Sequence, residues 1–130
     1  MRDLPASATH AQRIELVQRY IGDHLDEPLQ RAVLASVAGF SIPHLHRIFI
    51  GQVGESAAAY VRRMRLQRAG RKLLFGAVDI SEVALAAGYD THAAFGRAFK
   101  RQYGLSPSEF RRLYYLDALR ILSSDGKGMK

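Results

Sequence analysis

The sequence predicts an all-α fold, and three observations carry that expectation. Apolar residues recur at helical spacing along most of the chain, and no stretch alternates as a half-buried strand would. Glycines stand where the periodic stretches stop, and Ser, Thr or Asp stand where they start. The stretch Val83 to Arg111, VALAAGYDTHAAFGRAFKRQYGLSPSEFR, reads as short helices broken by tight turns. The predicted architecture is two helix-turn-helix subdomains joined by a long linker helix, about seven helices in all. Their boundaries are expected at 1–55 for the N-terminal subdomain, 56–76 for the linker helix, 77–122 for the C-terminal subdomain and 123–130 for a flexible tail.

Each element has a local reason. Met1 to Thr9 is a polar leader containing Pro5, expected to fray. Ile14, Leu16, Val17, Tyr20, Ile21 and Leu25 share a helical face, so the spacing predicts an amphipathic helix over about 10–25. Asp26-Glu27-Pro28 interrupts it, because Pro28 disfavours helical geometry at Glu27. These two acids read as a solvated turn rather than a catalytic pair. A second helix is expected from Leu29 to Ala38, ended by Gly39. Ser41 is a good N-cap for a third, with Pro43 in its first turn, Leu45 and Phe49 on one face, and Gly51 and Gly54 closing it. Ser56 opens a long helix over about 57–75. Tyr60, Met64, Leu66, Leu73 and Leu74 are its apolar members, and Arg62, Arg63, Arg65, Arg68, Arg71 and Lys72 its basic ones.

Gly76 ends the long helix, and Asp79 or Ile80-Ser81 leads into a short one over Val83 to Ala87. Gly88 breaks that helix, and Asp90 or Thr91 caps the next, which carries Phe95 and Phe99 at i and i+4. After Gly104, Ser106-Pro107-Ser108-Glu109 has the N-cap, first-position proline and third-position acid of a helix start. A last helix is expected through Phe110, Leu113 and Leu116 towards Leu122. Ser123 to Gly128 reads as a flexible tail or linker.

The chain repeats itself. Leu34-Ala35-Ser36-Val37-Ala38-Gly39-Phe40 lies over Val83-Ala84-Leu85-Ala86-Ala87-Gly88-Tyr89. With one residue of slip in the turn, Leu45 lies over Phe95, Arg47 over Arg97, Phe49 over Phe99 and Gly54 over Gly104. Ser56 and Tyr60 then fall on Ser106 and Phe110. A linker helix of about 19 residues spans roughly 28 Å. The major-groove faces of DNA one turn apart are separated by about 34 Å. Two short helices joined by a Gly-containing turn, with a basic second helix, are how a helix-turn-helix looks in sequence. One chain then supplies two such readers.

Composition agrees with a polyanion partner. The 130 residues carry a net charge of +7, and the pI is near 10.1. The absence of cysteine excludes disulfides, thiolate nucleophiles and Cys-ligated zinc. No apolar run reaches the roughly 20 residues of a membrane span, and no signal peptide is visible, so the expected location is cytoplasmic, at the bacterial nucleoid, without membrane contact.

On these residues the chain resembles the DNA-binding domain of the AraC/XylS family of bacterial transcription regulators, over about 11–115. The second half carries the resemblance in Ile80, Val83-Ala84, Ala87-Gly88-Tyr89, Phe95, Arg97, Phe99-Lys100, Gly104, Ser106-Pro107 and Phe110-Arg111. The first half carries it in Leu34-Ala35, Gly39-Phe40-Ser41, Leu45, Arg47, Phe49, Gly54-Glu55, Tyr60 and the run from Arg63 to Ala69. The sequence departs from the pattern at Ile50, where the family usually has lysine. The Leu25-Asp26-Glu27-Pro28-Leu29 entry and His44-Leu45-His46-Arg47 are similar to members followed by a gyrase-inhibitor-like effector domain. The tail after Leu122 suits either a fragment or a stand-alone regulator.

The resemblance implies a sequence-specific regulator that inserts two recognition helices into successive major grooves of double-stranded DNA. It implies RNA polymerase as a second partner and an activator role, although the residues themselves do not separate activation from repression. A small-molecule effector is expected only through a domain outside these residues, so DNA binding by this chain is expected to need no ligand, and no cofactor.

Carried over from the resemblance, base contacts are expected from Pro43, His44, His46 and Arg47 in the first unit and from His92, Ala93, Gly96 and Arg97 in the second. An arginine forks onto guanine O6 and N7. Ala93 and Gly96 offer almost no hydrogen bonds, so the second unit is expected to read thymine methyls and groove shape. Ser41, Thr91, Lys100, Arg101 and Arg111 are expected at the phosphates. The plainer alternatives are that Arg47 and Arg97 pair with carboxylates and that the bases of the long helix form a solvated face. His44 and His46 do not suggest a metal site, because residues two apart on a helix point about 200° apart. An enzyme is not expected: the alkyl-acceptor chemistry fused to some family-like domains needs a cysteine, and no Gly-x-Ser-x-Gly elbow, phosphate loop or His-Glu-x-x-His occurs. The rival reading is an interaction module that recruits RNA polymerase or another regulator without reading DNA.

Overall fold

Thr9 starts the first helix. In the computed structural model, which describes residues 4–76, 79–113 and 115–124, the Thr9 hydroxyl accepts from the Gln12 amide at 3.1 Å, and the Thr9 amide donates to Gln12 Oε1 at 2.8 Å. This reciprocal cap orders Thr9, the last residue of the leader that the sequence predicts to fray. Helix α1 (His10–Asp23) buries Ile14, Val17 and Ile21. Helix α2 (Arg31–Ala38) begins two residues later than the spacing predicts, with Gln30 at its N-cap making no side-chain bond. Helix α3 (Ile42–Val53) is capped by Ser41, as expected, and buries Leu45 and Phe49. The axes of α2 and α3 bend by 75° at the turn between them. Gly54 ends α3 in the left-handed region, whereas Gly51 lies inside the helix and does not help to close it.

Arg13 ties the turn to α1. Its Nη1 donates to the Ala38 carbonyl at 2.8 Å, satisfying an acceptor that α2 leaves open at its end. Gly39 must be left-handed there, with φ 74°, and a Cβ on it would stand 2.6 Å from Arg13 Nη1. Gly39→Ala is therefore expected to destabilise the first unit by about 1–3 kcal/mol, from backbone strain alone. Thermal unfolding of the two proteins side by side checks it, and an unchanged midpoint refutes it.

Helix α4 (Ala57–Phe75) matches the predicted long helix. Contacts divide the chain inside it, into Met1–Arg62 and Arg63–Lys130. Ala57 and Val61 complete the first core, and Leu66, Ala69 and Leu73 belong to the second. The helix is thus a structural member of each unit rather than only a connector. In the second unit, α5 (Ile80–Ala86) is capped by Asp79, and Gly88 follows it at φ 93°. Helix α6 (His92–Tyr103) is capped by Thr91, not by Asp90: the Thr91 hydroxyl accepts from the Ala94 amide at 3.0 Å.

The C-terminal run corrects the expected helix count. Instead of one last helix there are two, α7 (Pro107–Arg111) and α8 (Tyr115–Ser123), so the described residues contain eight helices and no strand. Tight bonds from the Arg112 amide to the Glu109 carbonyl and from the Leu113 amide to the Phe110 carbonyl end α7. The turn brings Ala118 and Leu122 back onto the core and leaves Leu116, predicted on the apolar face, 72% exposed. Leu122 seats against Gly70 of α4, where an added Cβ would lie 2.5 Å from Leu122 Cδ2, and Gln67 donates to the Leu122 carbonyl at 3.2 Å. Ser123 belongs to α8 and the Ser124 amide donates to the Arg120 carbonyl at 3.2 Å, so these two are not tail; residues 125–130 of the expected tail lie outside the described residues.

The duplication reaches further than the sequence comparison showed. The buried residues Ile14, Val17 and Ile21 of α1 repeat the spacing of Leu66, Ala69 and Leu73 of α4. That register also lays Arg13 over Arg65, and His10 over Arg62. In the second unit Arg68 Nη2 donates to the Ala86 carbonyl at 2.9 Å, a bond of the same kind as that from Arg13 to Ala38. Each unit is therefore a scaffold helix followed by the two helices of a helix-turn-helix.

Candidate nucleic-acid interface

Burial fixes which side of α3 and α6 faces outward. Leu45 and Phe49 face inward on α3, and Phe95, Ala98, Phe99 and Tyr103 face inward on α6. The outward side of α3 is a strip of Pro43, His46, Arg47 and Ile50, all exposed, at i, i+3, i+4 and i+7. At the same spacing the outward side of α6 carries Ala93, Gly96, Arg97 and Lys100. Each strip has an arginine at its third place. Among the described residues neither Arg47 nor Arg97 forms an ion pair, so the carboxylate alternative gains no support. A Cβ placed on Gly96 would meet nothing within 4 Å, so the middle of the α6 strip is open.

The remaining expected base contacts are less uniform. His92 is exposed at the first position of α6. His44 is half-buried: its ring lies 4.4 Å from Phe40 and 5.4 Å from His10, centroid to centroid. It therefore packs on Phe40 and His10 rather than standing exposed as Pro43, His46 and Arg47 do. Ile50, the departure from the family pattern, occupies the strip position held by Lys100 in the second unit and is 41% exposed.

The phosphate candidates divide by element. Ser41 and Thr91 are exposed N-caps, their oxygens accepting from the His44 amide at 3.3 Å and the Ala94 amide at 3.0 Å. Capping uses an acceptor lone pair, so each hydroxyl retains its proton to donate. Lys100 and Arg101 are exposed in the last turn of α6, where they also complement the helix dipole. Arg111 lies on α7, half-buried with its Nε enclosed, and is not brought together with the α6 strip by any shared helix face. Its neighbour Glu109 closes the α7 cap. The Ser106 amide donates to Glu109 Oε1 at 2.8 Å and holds that carboxyl below its ordinary 4.5.

The sequence reading did not pick out His10. Nothing in the periodicity of α1 marks it, because its significance lies in the contact with Phe40 and His44 across the unit. No single helix is long and apolar enough to cross a membrane, among the described residues.

Comparison with known proteins places this geometry. A family described as a helix-turn-helix domain matches residues 34–113. The chain is 37% identical over 93 residues to the Right origin-binding protein of Escherichia coli K12, covering 72% of this chain but 32% of that protein. It is 31% identical over 103 residues to the regulatory protein SoxS of Salmonella typhimurium, covering 79% of this chain and 96% of SoxS. The chain thus spans about a third of the first relative and nearly all of the second. Among solved structures it is similar to the DNA-binding domain of AdpA, a global transcriptional factor solved in complex with a target DNA. There the TM-score is 0.70 and the identity 27%, over 81% of this chain and 95% of that one. The two repeated helix-turn-helix units and these matches together show that the chain belongs to the AraC/XylS family of helix-turn-helix transcription regulators.

Proposed function

We propose that this chain binds double-stranded DNA sequence-specifically, with α3 and α6 in successive major grooves, and thereby regulates transcription. The observation that carries the reading is the pair of outward strips, Pro43-His46-Arg47-Ile50 and Ala93-Gly96-Arg97-Lys100, at one spacing on two separately capped helices. Arg47 and Arg97 supply the forks that read guanine. His46 and His92 add donors, and Ala93 and Gly96 admit thymine methyls and a close backbone. Ser41, Thr91, Lys100, Arg101 and Arg111 set the register on phosphates. The solved AdpA domain on its target DNA supports a DNA partner. Contact with RNA polymerase, an activator role and action at the nucleoid belong to the same proposal. A small-molecule effector would act through a domain outside these residues.

Selection from a random duplex library at about 150 mM salt tests the reading. An asymmetric site with two preferred blocks about 10 base pairs apart is expected, and affinity on that site should fall steeply with salt. One block alone would leave only one unit reading sequence. No enrichment at all, with charge reversal of Arg47 and Arg97 leaving DNA binding unaltered, would favour the interaction-module reading instead.

A further inference from the structure

We infer that the first unit's DNA-facing surface extends beyond its helix-turn-helix onto α1, where His10 contacts the DNA backbone beside the first turn of α3. The inference rests on the proposed DNA reading.

Three rings meet at this corner. His10 stands edge-on to Phe40 at 5.5 Å and to His44 at 5.4 Å, with interplanar angles of 88° and 85°. His44 is at the third position of α3, one turn before Arg47. A duplex whose groove admits the α3 strip therefore brings a strand past His10, which is exposed. Arg13 of α1 places its Cζ 5.7 Å from the Phe40 ring, so a guanidinium stands beside the cluster. Such a corner attracts an anion and offers a ring N–H as donor to a phosphate oxygen. Phe40 and His44 hold the His10 ring in one orientation, so little side-chain freedom remains to be lost on contact.

A second, independent observation comes from the duplication. The register that lays the buried residues of α1 over those of α4 lays His10 over Arg62, which is exposed. A basic side chain thus recurs at one place in the two scaffold helices, as Arg13 and Arg65 also do in that register.

The test uses the whole chain and a labelled duplex carrying the selected site. His10→Glu should weaken binding about tenfold at about 150 mM salt, equally on related sequences, since a carboxylate there repels the phosphates. His10→Lys should bind as tightly as the parent or more tightly, since it supplies N–H donors and a positive charge without the ring. Equal losses in both variants would assign His10 to packing and overturn the inference. Parent-like affinity of His10→Glu, with Arg47→Ala impaired, would overturn it while leaving the DNA reading intact. If neither His10→Glu nor Arg47→Ala changes affinity, the DNA reading itself fails and the inference falls with it.

Discussion

Phe99→Ala is expected to unfold the second unit or leave it marginal. The ring is fully buried, with Phe95 at 5.7 Å, Tyr103 at 4.9 Å and Phe110 at 5.3 Å. Removing it leaves a cavity walled by three other aromatic rings, each fixed to a different turn of α6 or to α7. Those walls cannot close without moving the helices, so the cost should lie in the range of about 3–5 kcal/mol typical of a buried phenylalanine. A small domain has roughly 5–15 kcal/mol in total. Denaturant unfolding followed by far-ultraviolet circular dichroism measures the loss. A midpoint within error of the parent would mean that the ring cluster is not the core described here. DNA affinity should fall too, as a consequence of the unfolded fraction, and should recover partly on cooling towards the temperature of maximum stability.

Arg47→Ala acts on the other side of α3 and should leave stability nearly untouched, since the side chain is exposed and forms no ion pair among the described residues. Its effect falls on recognition. A bidentate arginine–guanine contact discriminates by about 1–3 kcal/mol, so the variant should lose that much on the preferred site and much less on a site mutated at the matching base pair. Binding titrations on the two duplexes, for parent and variant, form a cycle. Equal losses on both duplexes would reassign Arg47 to the phosphates. The contrast with Phe99→Ala separates a reader from a core residue by two independent readouts.

The sequence made the helices legible where the cause is local. Ser41, Ser106, Gly54 and Gly104 act through bonds that span three or four residues, and the structure places each where the pattern predicts. Phe49 and Phe99 were legible as core because burial follows the helical period. The readings that needed correction depend on contacts distant in sequence. The break between α7 and α8 accompanies the seating of Leu122 against Gly70 on α4, a pairing no local pattern announces. The kinship of α1 with α4 was hidden because the two share spacing and burial but few residue identities. The same holds at the candidate interface. The exposed strip of Pro43, His46 and Arg47 follows from the helical period, and the repeat pairs Arg47 with Arg97, whereas the turning of His44 towards Phe40 and His10 depends on where α1 begins.

The double membership of α4 has a thermodynamic consequence. Forming a helix carries a nucleation cost that is incurred once for the whole segment, and further turns then add at little expense. When Ala57 and Val61 are held helical by one set of neighbours, the turns that carry Leu66, Ala69 and Leu73 need only propagate. Melting of one half removes that advantage from the other. The free energies of the two halves are then coupled rather than additive, and their heat-absorption peaks should merge towards a single transition.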